Sequence, residues 1–157
     1  MVTDLYALSP LTAGRRPRKR IHQTCRYNGC MEKTPIFTGA GPAAGAPYTP
    51  AVKVGNTLYI SGQLGIDPET GAPHTDFIKQ VEGAIAGLSA LLEAAGGTLD
   101  NVVKTTCFLS GDMSKFAEFN GIYGKHFSGI RPARSTFAVA ALPLGAQVEI
   151  EAIAVLD

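Results

Sequence analysis

The hydrophobic patterning of this chain predicts an α+β fold, with one mixed β-sheet and two helices packed on one of its faces. Three observations carry that expectation. Between positions 77 and 95, Phe77, Val81, Ala84, Ile85, Leu88, Leu91, Leu92 and Ala95 recur at three- and four-residue steps, which makes one buried helical stripe. The run VEIEAIAV at 148–155 alternates as a strand does, with Val148, Ile150, Ala152 and Ala154 on one side and Glu149, Glu151, Ile153 and Val155 on the other. The β-prone and helical segments follow one another as strand–strand–helix and then strand–helix–strand–strand.

Each element has a local reason. Residues 34–50 are rich in Gly, Ala and Pro and read as extended loop. Residues 51–54 and 57–61 flank Gly55-Asn56, a two-residue turn able to take positive φ at both positions, and so read as a hairpin. Asp67-Pro68-Glu69-Thr70-Gly71 is a turn cluster. Asp76 caps the first helix and Gly96-Gly97 stops it. Residues 102–109 form a β-prone run. Asp112 or Ser114 caps a second helix, whose buried side includes Phe116, Phe119, Ile122, Tyr123 and His126. Gly121 and Gly124 weaken that helix by on the order of 1 kcal/mol each relative to alanine. The last two strands are expected at 134–140 and 147–155. Because both sides of the final strand carry apolar residues, the sheet is expected to be covered on both faces, which implies an oligomer.

Composition bounds the function. The chain has 157 residues, 45% of them hydrophobic and 17% charged, which suits one domain with a real core. Its net charge of +1 is unevenly spread. Residues 1–30 hold six basic residues against Asp4 alone, including the block GRRPRKR, whereas residues 31–157 hold eight basic and twelve acidic residues. An acidic body argues against a nucleic-acid-binding face there. The arm has no apolar core of a secretory signal and reads as a basic, disordered N-terminal extension ahead of a domain at 31–157. A transit-like peptide, or a contact to nucleic acid or membrane through the basic block, are the other readings. His22, Cys25 and Cys30 supply three ligands at most and do not complete a tetrahedral zinc site. Three cysteines do not describe a disulfide framework, so a reducing cytoplasm is the simplest compartment. No run of about 18 apolar residues occurs, and no transmembrane helix is expected.

Candidate chemistry sits near the C-terminus. In RPARSTFAV, Arg134 and Thr136 share one strand face, and Ser135, Phe137 and Val139 take the other. About a dozen residues later come the paired carboxylates Glu149 and Glu151. An arginine grips a carboxylate bidentately, and a glutamate positions or deprotonates a water. A surface ion pair across neighbouring strands is the plainer alternative, and the residues by themselves leave both open. Like charges on one face are expected to raise the pKa of Glu149. Cys107, in a β-prone run, reads as a small buried hydrophobe.

Several pieces together resemble the Rid family, also called YjgF or the reactive-intermediate deaminases. They are Ala46-Pro47-Tyr48, SGQ at 61–63, the helix after Asp76, VVKTTCFLSGDMSKFAEFN at 102–120, PARS at 132–135 and VEIEAIAV at 148–155. They occur in that family's order and close to its spacing, from about Met31 to Asp157. The resemblance implies a chorismate-mutase-like fold packed as a homotrimer, with sites in the clefts between subunits. It implies hydrolysis of 2-imino or enamine acids to 2-keto acids with release of ammonia, without metal or organic cofactor. By resemblance Arg134 binds the substrate carboxylate, Glu149 holds the attacking water, Tyr48 lies near the substrate, and Ser61 and Asn120 are polar neighbours. The chain departs from many members at Thr136, where they carry cysteine. The family uses the backbone carbonyl there, which threonine keeps, while thiol regulation at that position is lost. The loop between Phe127 and Pro132 is shorter than in some relatives and reshapes the pocket rim.

Two other functions compete with deamination. One is non-catalytic binding of keto or imino acids through the same arginine, since fold does not dictate function. The other is RNA cleavage or translation inhibition, which the acidic body disfavours. Each residue also has a structural alternative: Tyr48 as a loop anchor, Ser61 as a turn cap, Asn120 as the partner of a buried backbone group.

Overall fold

The computed structural model describes residues 32–39 and 46–157. The expectations for the arm at 1–30, including its disorder and the rejected zinc site, lie outside the described residues.

Among the described residues six strands form a single sheet: β1 (Lys33–Ile36), β2 (Ala51–Val54), β3 (Thr57–Leu64), β4 (Val102–Ser110), β5 (Ala133–Val139) and β6 (Val148–Val155). Their order is β1-β2-β3-β6-β4-β5. The sheet is mixed, because β4 and β5 run parallel while the other neighbours are antiparallel. Helices α1 (Phe77–Ala94) and α2 (Phe116–His126) cover one face. This is the expected architecture.

The strand β1 corrects the reading of 34–50 as loop throughout. Pro35 sits within β1, which among the described residues is an edge strand paired only with β2, and an edge tolerates a missing N–H. In the hairpin, Gly55 alone takes positive φ (59°), so the turn needs glycine only at its first position. Strand β3 runs past the expected Ser61 to Leu64, with a bulge between Ile60 and Gln63.

α1 starts as its sequence dictates. The Asp76 carboxylate accepts the Lys79 N–H at 2.9 Å, and Gly96 leaves the helix with φ 88°. Its stripe of Val81, Ile85, Leu88, Leu91 and Leu92 is buried against Leu58, Ile60, Val148, Ile150 and Ala154. Burial of each large aliphatic side chain contributes about 1.5–3 kcal/mol. Gln80 is buried too, and its polar atoms are satisfied. Its Oε1 accepts the Gln147 N–H at 2.7 Å and its Nε2 donates to the His74 carbonyl at 2.5 Å, which ties α1 to the entry of β6.

α2 begins differently from expectation. Neither Asp112 nor Ser114 caps it. The Asp112 carboxylate accepts the Ser114 N–H at 2.9 Å, a local turn that competes with capping, and Lys115 occupies the cap position without a side-chain bond to the helix N-terminus. His126 is exposed. Phe127 takes the buried place below Phe119, Ile122 and Tyr123. The sheet face away from the helices leaves Tyr59, Phe137 and Val155 between 40% and 52% exposed in the single chain. Among the described residues, no helix is long and apolar enough to cross a membrane.

Gly65 sits where β3 hands over to the turn beneath α1. A Cβ there would enter the α1 backbone at Gln80, which has no side-chain freedom to yield. Gly65→Ala is expected to destabilise the fold by about 3 kcal/mol, measured by denaturant unfolding.

Candidate active site

Strand alternation decides which functional side chains can meet. Arg134 pairs in register with Thr105, and Thr105 with Ala152, both buried under the helices. Arg134 therefore emerges on the helix side of β5, the edge strand. There it meets α2. Its Nη2 donates to Asn120 Oδ1 at 2.6 Å, and its guanidinium carbon lies 4.7 Å from the Tyr123 ring centre and 5.5 Å from that of Phe119. Cation–π contact and a hydrogen bond together hold the fork.

Tyr123 is itself fixed. Its hydroxyl and Thr105 Oγ1 are 2.8 Å apart, and its ring stacks on Phe127 at 4.4 Å between centres. Desolvation by burial is the main reason the Tyr123 phenol is pushed up, so it stays protonated. The sequence reading missed both Thr105 and Tyr123 as supports of the site. Tyr123 lies three residues beyond Asn120 on α2, a spacing that puts them on one face.

Asn120, Tyr123, Gly124, Arg131, Pro132 and Arg134 line a cavity of about 450 Å³. Thr136, two residues beyond Arg134, points the same way. Its Oγ1 is buried and has no hydrogen-bond partner among the described residues, beside Cys107 in register. Cys107 is fully buried, and desolvation pushes its thiol up to about 11, consistent with a small core residue. Among the described residues β5 is an edge strand, which leaves alternate backbone carbonyls without a ladder partner.

Glu149 lies elsewhere. It pairs with Phe108 and Leu64, and the Phe108 ring stacks with Phe137 at 6.4 Å on the sheet face away from the helices. Within one chain, Arg134 and Glu149 thus face opposite sides of the sheet, and no ion pair joins them. Gly62 adjoins the Glu149 carboxylate, because a Cβ at position 62 would collide with it. Next to Gly62, the Ser61 hydroxyl donates to the Thr49 carbonyl at 2.8 Å and the Ser61 N–H to the Pro50 carbonyl at 2.9 Å. Ser61 thereby fixes the foot of the segment carrying Tyr48, a residue that is 57% exposed. The candidate residues fall into two groups: Arg134, Asn120 and Thr136 beside α2, and Tyr48, Ser61 and Glu149 along β3 and its flanks.

Burial, then Glu151, raise the Glu149 pKa from its ordinary value. A carboxyl whose folded pKa exceeds its unfolded value lends stability below the unfolded value and loses it as pH rises through the folded one. Ionised Glu149 therefore opposes folding at neutral pH. Glu149→Gln is expected to raise the melting temperature at pH 7 and to change it little in acid. Among the described residues, no three His, Cys, Asp or Glu side chains group closely enough to share a metal ion.

Comparison with known proteins agrees with this architecture. The family described as endoribonuclease L-PSP matches residues 38–156. The mouse (Mus musculus) 2-iminobutanoate/2-iminopropanoate deaminase is 48% identical over 121 residues, covering 76% of this chain and 89% of that protein. Protein HMF1 of Saccharomyces cerevisiae is 44% identical over 121 residues, covering 77% of this chain and 93% of that protein. The crystal structure of RidA from the Antarctic bacterium Psychrobacter superposes with a TM-score of 0.73 at 47% identity, over 78% of this chain and 99% of that one.

Proposed function

The chain belongs to the Rid (YjgF) family, and from that premise we propose that it hydrolyses 2-imino acids to 2-keto acids with release of ammonia. The observation that carries the reading is Arg134, held by Asn120 and an aromatic bed at the edge of a cavity of about 450 Å³. A guanidinium so fixed receives a substrate carboxylate without reorganising. One water adds its oxygen to the imine carbon, its protons pass to nitrogen, the C–N bond breaks, and ammonia leaves with a keto group behind. Glu149 positions that water, helped by the Thr136 carbonyl, while Tyr48 and Ser61 close the other side.

Because Arg134 and Glu149 face opposite sides of one sheet, the reading assigns the two groups of residues to different copies of the chain. The site then forms between subunits of a cyclic assembly, a homotrimer as the family resemblance implies. The apolar sheet face around Tyr59, Phe137 and Val155 is the surface such packing would cover. Substrates of the size of 2-iminobutanoate and 2-iminopropanoate, and a cytoplasmic setting, belong to the same reading. Residues 1–30 are its separate basic extension.

The test is ammonia release from 2-iminobutanoate generated in situ by a threonine dehydratase. A folded protein that binds 2-oxobutanoate saturably but does not accelerate release would be a ligand binder instead. If Glu149 acts as an ionised base, activity rises with pH through its raised pKa. Glu151→Gln removes the like charge beside it and is expected to move the acid limb of the kcat/KM profile to lower pH.

A further inference from the structure

We propose that the cavity beside Arg134 takes 2-imino acids bearing a second carboxylate, and that Arg131 selects them. This rests on the deaminase reading and names its substrate class. Residues 31–157 contain only two arginines, Arg131 and Arg134, and both border the same cavity. Its remaining lining residues, Asn120, Tyr123, Gly124 and Pro132, carry no negative charge. Among the described residues neither guanidinium has a carboxylate partner.

The two arginines hang from one aromatic column. Arg134 lies over the Tyr123 ring, and the Phe127 ring stacks with Tyr123 at 4.4 Å between centres. The Phe127 carbonyl accepts Arg131 Nε at 3.3 Å. That bond orients the Arg131 side chain, and among the described residues neither of its Nη groups has a protein acceptor. Arg134 is already set by Asn120 to receive the carboxylate next to the imine. Arg131 is left for an anion at the far end of the substrate.

Charge balance points the same way. Within the chain's own cavity lining, two guanidiniums meet a simple aliphatic imino acid that brings one carboxylate, which leaves one guanidinium unanswered. A second substrate carboxylate answers it. A planar fork also suits a carboxylate better than an ammonium would, and the six lysines of residues 31–157 all lie outside this lining. The reaction is unchanged: one water is consumed, one ammonia leaves, nothing is oxidised or reduced, and the product is a 2-oxo dicarboxylic acid.

The experiment compares kcat/KM of the full-length protein for 2-iminosuccinate, made in situ by an aspartate oxidase, and for 2-iminobutanoate, made by a threonine dehydratase. Wild type is expected to prefer the diacid by about tenfold or more, and Arg131→Gln to lower the diacid-to-monoacid ratio by about tenfold. Arg131→Lys is expected to recover part of that ratio. Succinate is expected to inhibit monoacid turnover competitively in wild type and more weakly in Arg131→Gln, with butyrate inhibition as the reference. Turnover of both imines with a ratio near one, or equal losses on both in Arg131→Gln, would overturn the diacid preference and leave the deaminase reading standing. No turnover of either imine by folded protein would overturn both.

Discussion

Replacing Arg134 with alanine is expected to lower kcat/KM for imine hydrolysis by about 10²–10³-fold while leaving the protein folded. The side chain sits half-buried at the edge of the sheet, so its removal opens no core cavity. What it removes is a charge-assisted grip on the substrate carboxylate, on the order of 3 kcal/mol, and each 1.4 kcal/mol is tenfold in rate. The stability change is smaller, about 1 kcal/mol, from the lost contacts to Tyr123 and Phe119. Arg134→Lys keeps the charge but not the fork, and about a tenfold deficit is expected to remain. Steady-state ammonia release beside a thermal melt of each variant separates the two effects. A folded Arg134→Ala protein with wild-type kcat/KM would remove the arginine from the site.

Mixing two inactive variants is expected to restore activity. Arg134→Ala keeps Glu149, and Glu149→Gln keeps Arg134. If each site takes its arginine from one copy and its glutamate from the next, random assembly of equal amounts around a ring rebuilds about a quarter of the sites. Each pure variant is expected to fall at least about 10²-fold below wild type. Co-refolded or co-expressed mixtures should therefore exceed either parent by about 25-fold or more. A site contained within one chain would show no recovery at any ratio. The recovered fraction does not depend on the number of subunits in the ring, so sedimentation of the same mixtures measures that number separately.

Local physics explains why much of the fold was legible in the sequence. α1 is spelled out by a side chain that caps it, a stripe at helical spacing and a glycine that ends it. All three act within a few residues, and the structure keeps them. β6 was equally legible, because alternation writes both of its faces directly into VEIEAIAV. The elements that read poorly depend on partners distant in sequence. The strand at Lys33–Ile36 contains a proline, and only its edge position makes that proline harmless. Asp112 had the right type and place for a helix cap, yet the chain turns back on Ser114 first.

The candidate site divides along the same line. From the sequence alone came the residue types able to do the chemistry, and alternation alone placed Arg134 with Thr136 and Glu149 with Glu151. Only the tertiary structure decided that the two pairs face opposite sides of the sheet, because that depends on the register of β5 on β4 and of β4 on β6. The aromatic support under Arg134 was likewise hidden, since Tyr123 reaches it through a bond to Thr105, 18 positions away along the chain. Composition and periodicity determine what a segment wants to bury, while strand order and register determine which buried and exposed groups become neighbours.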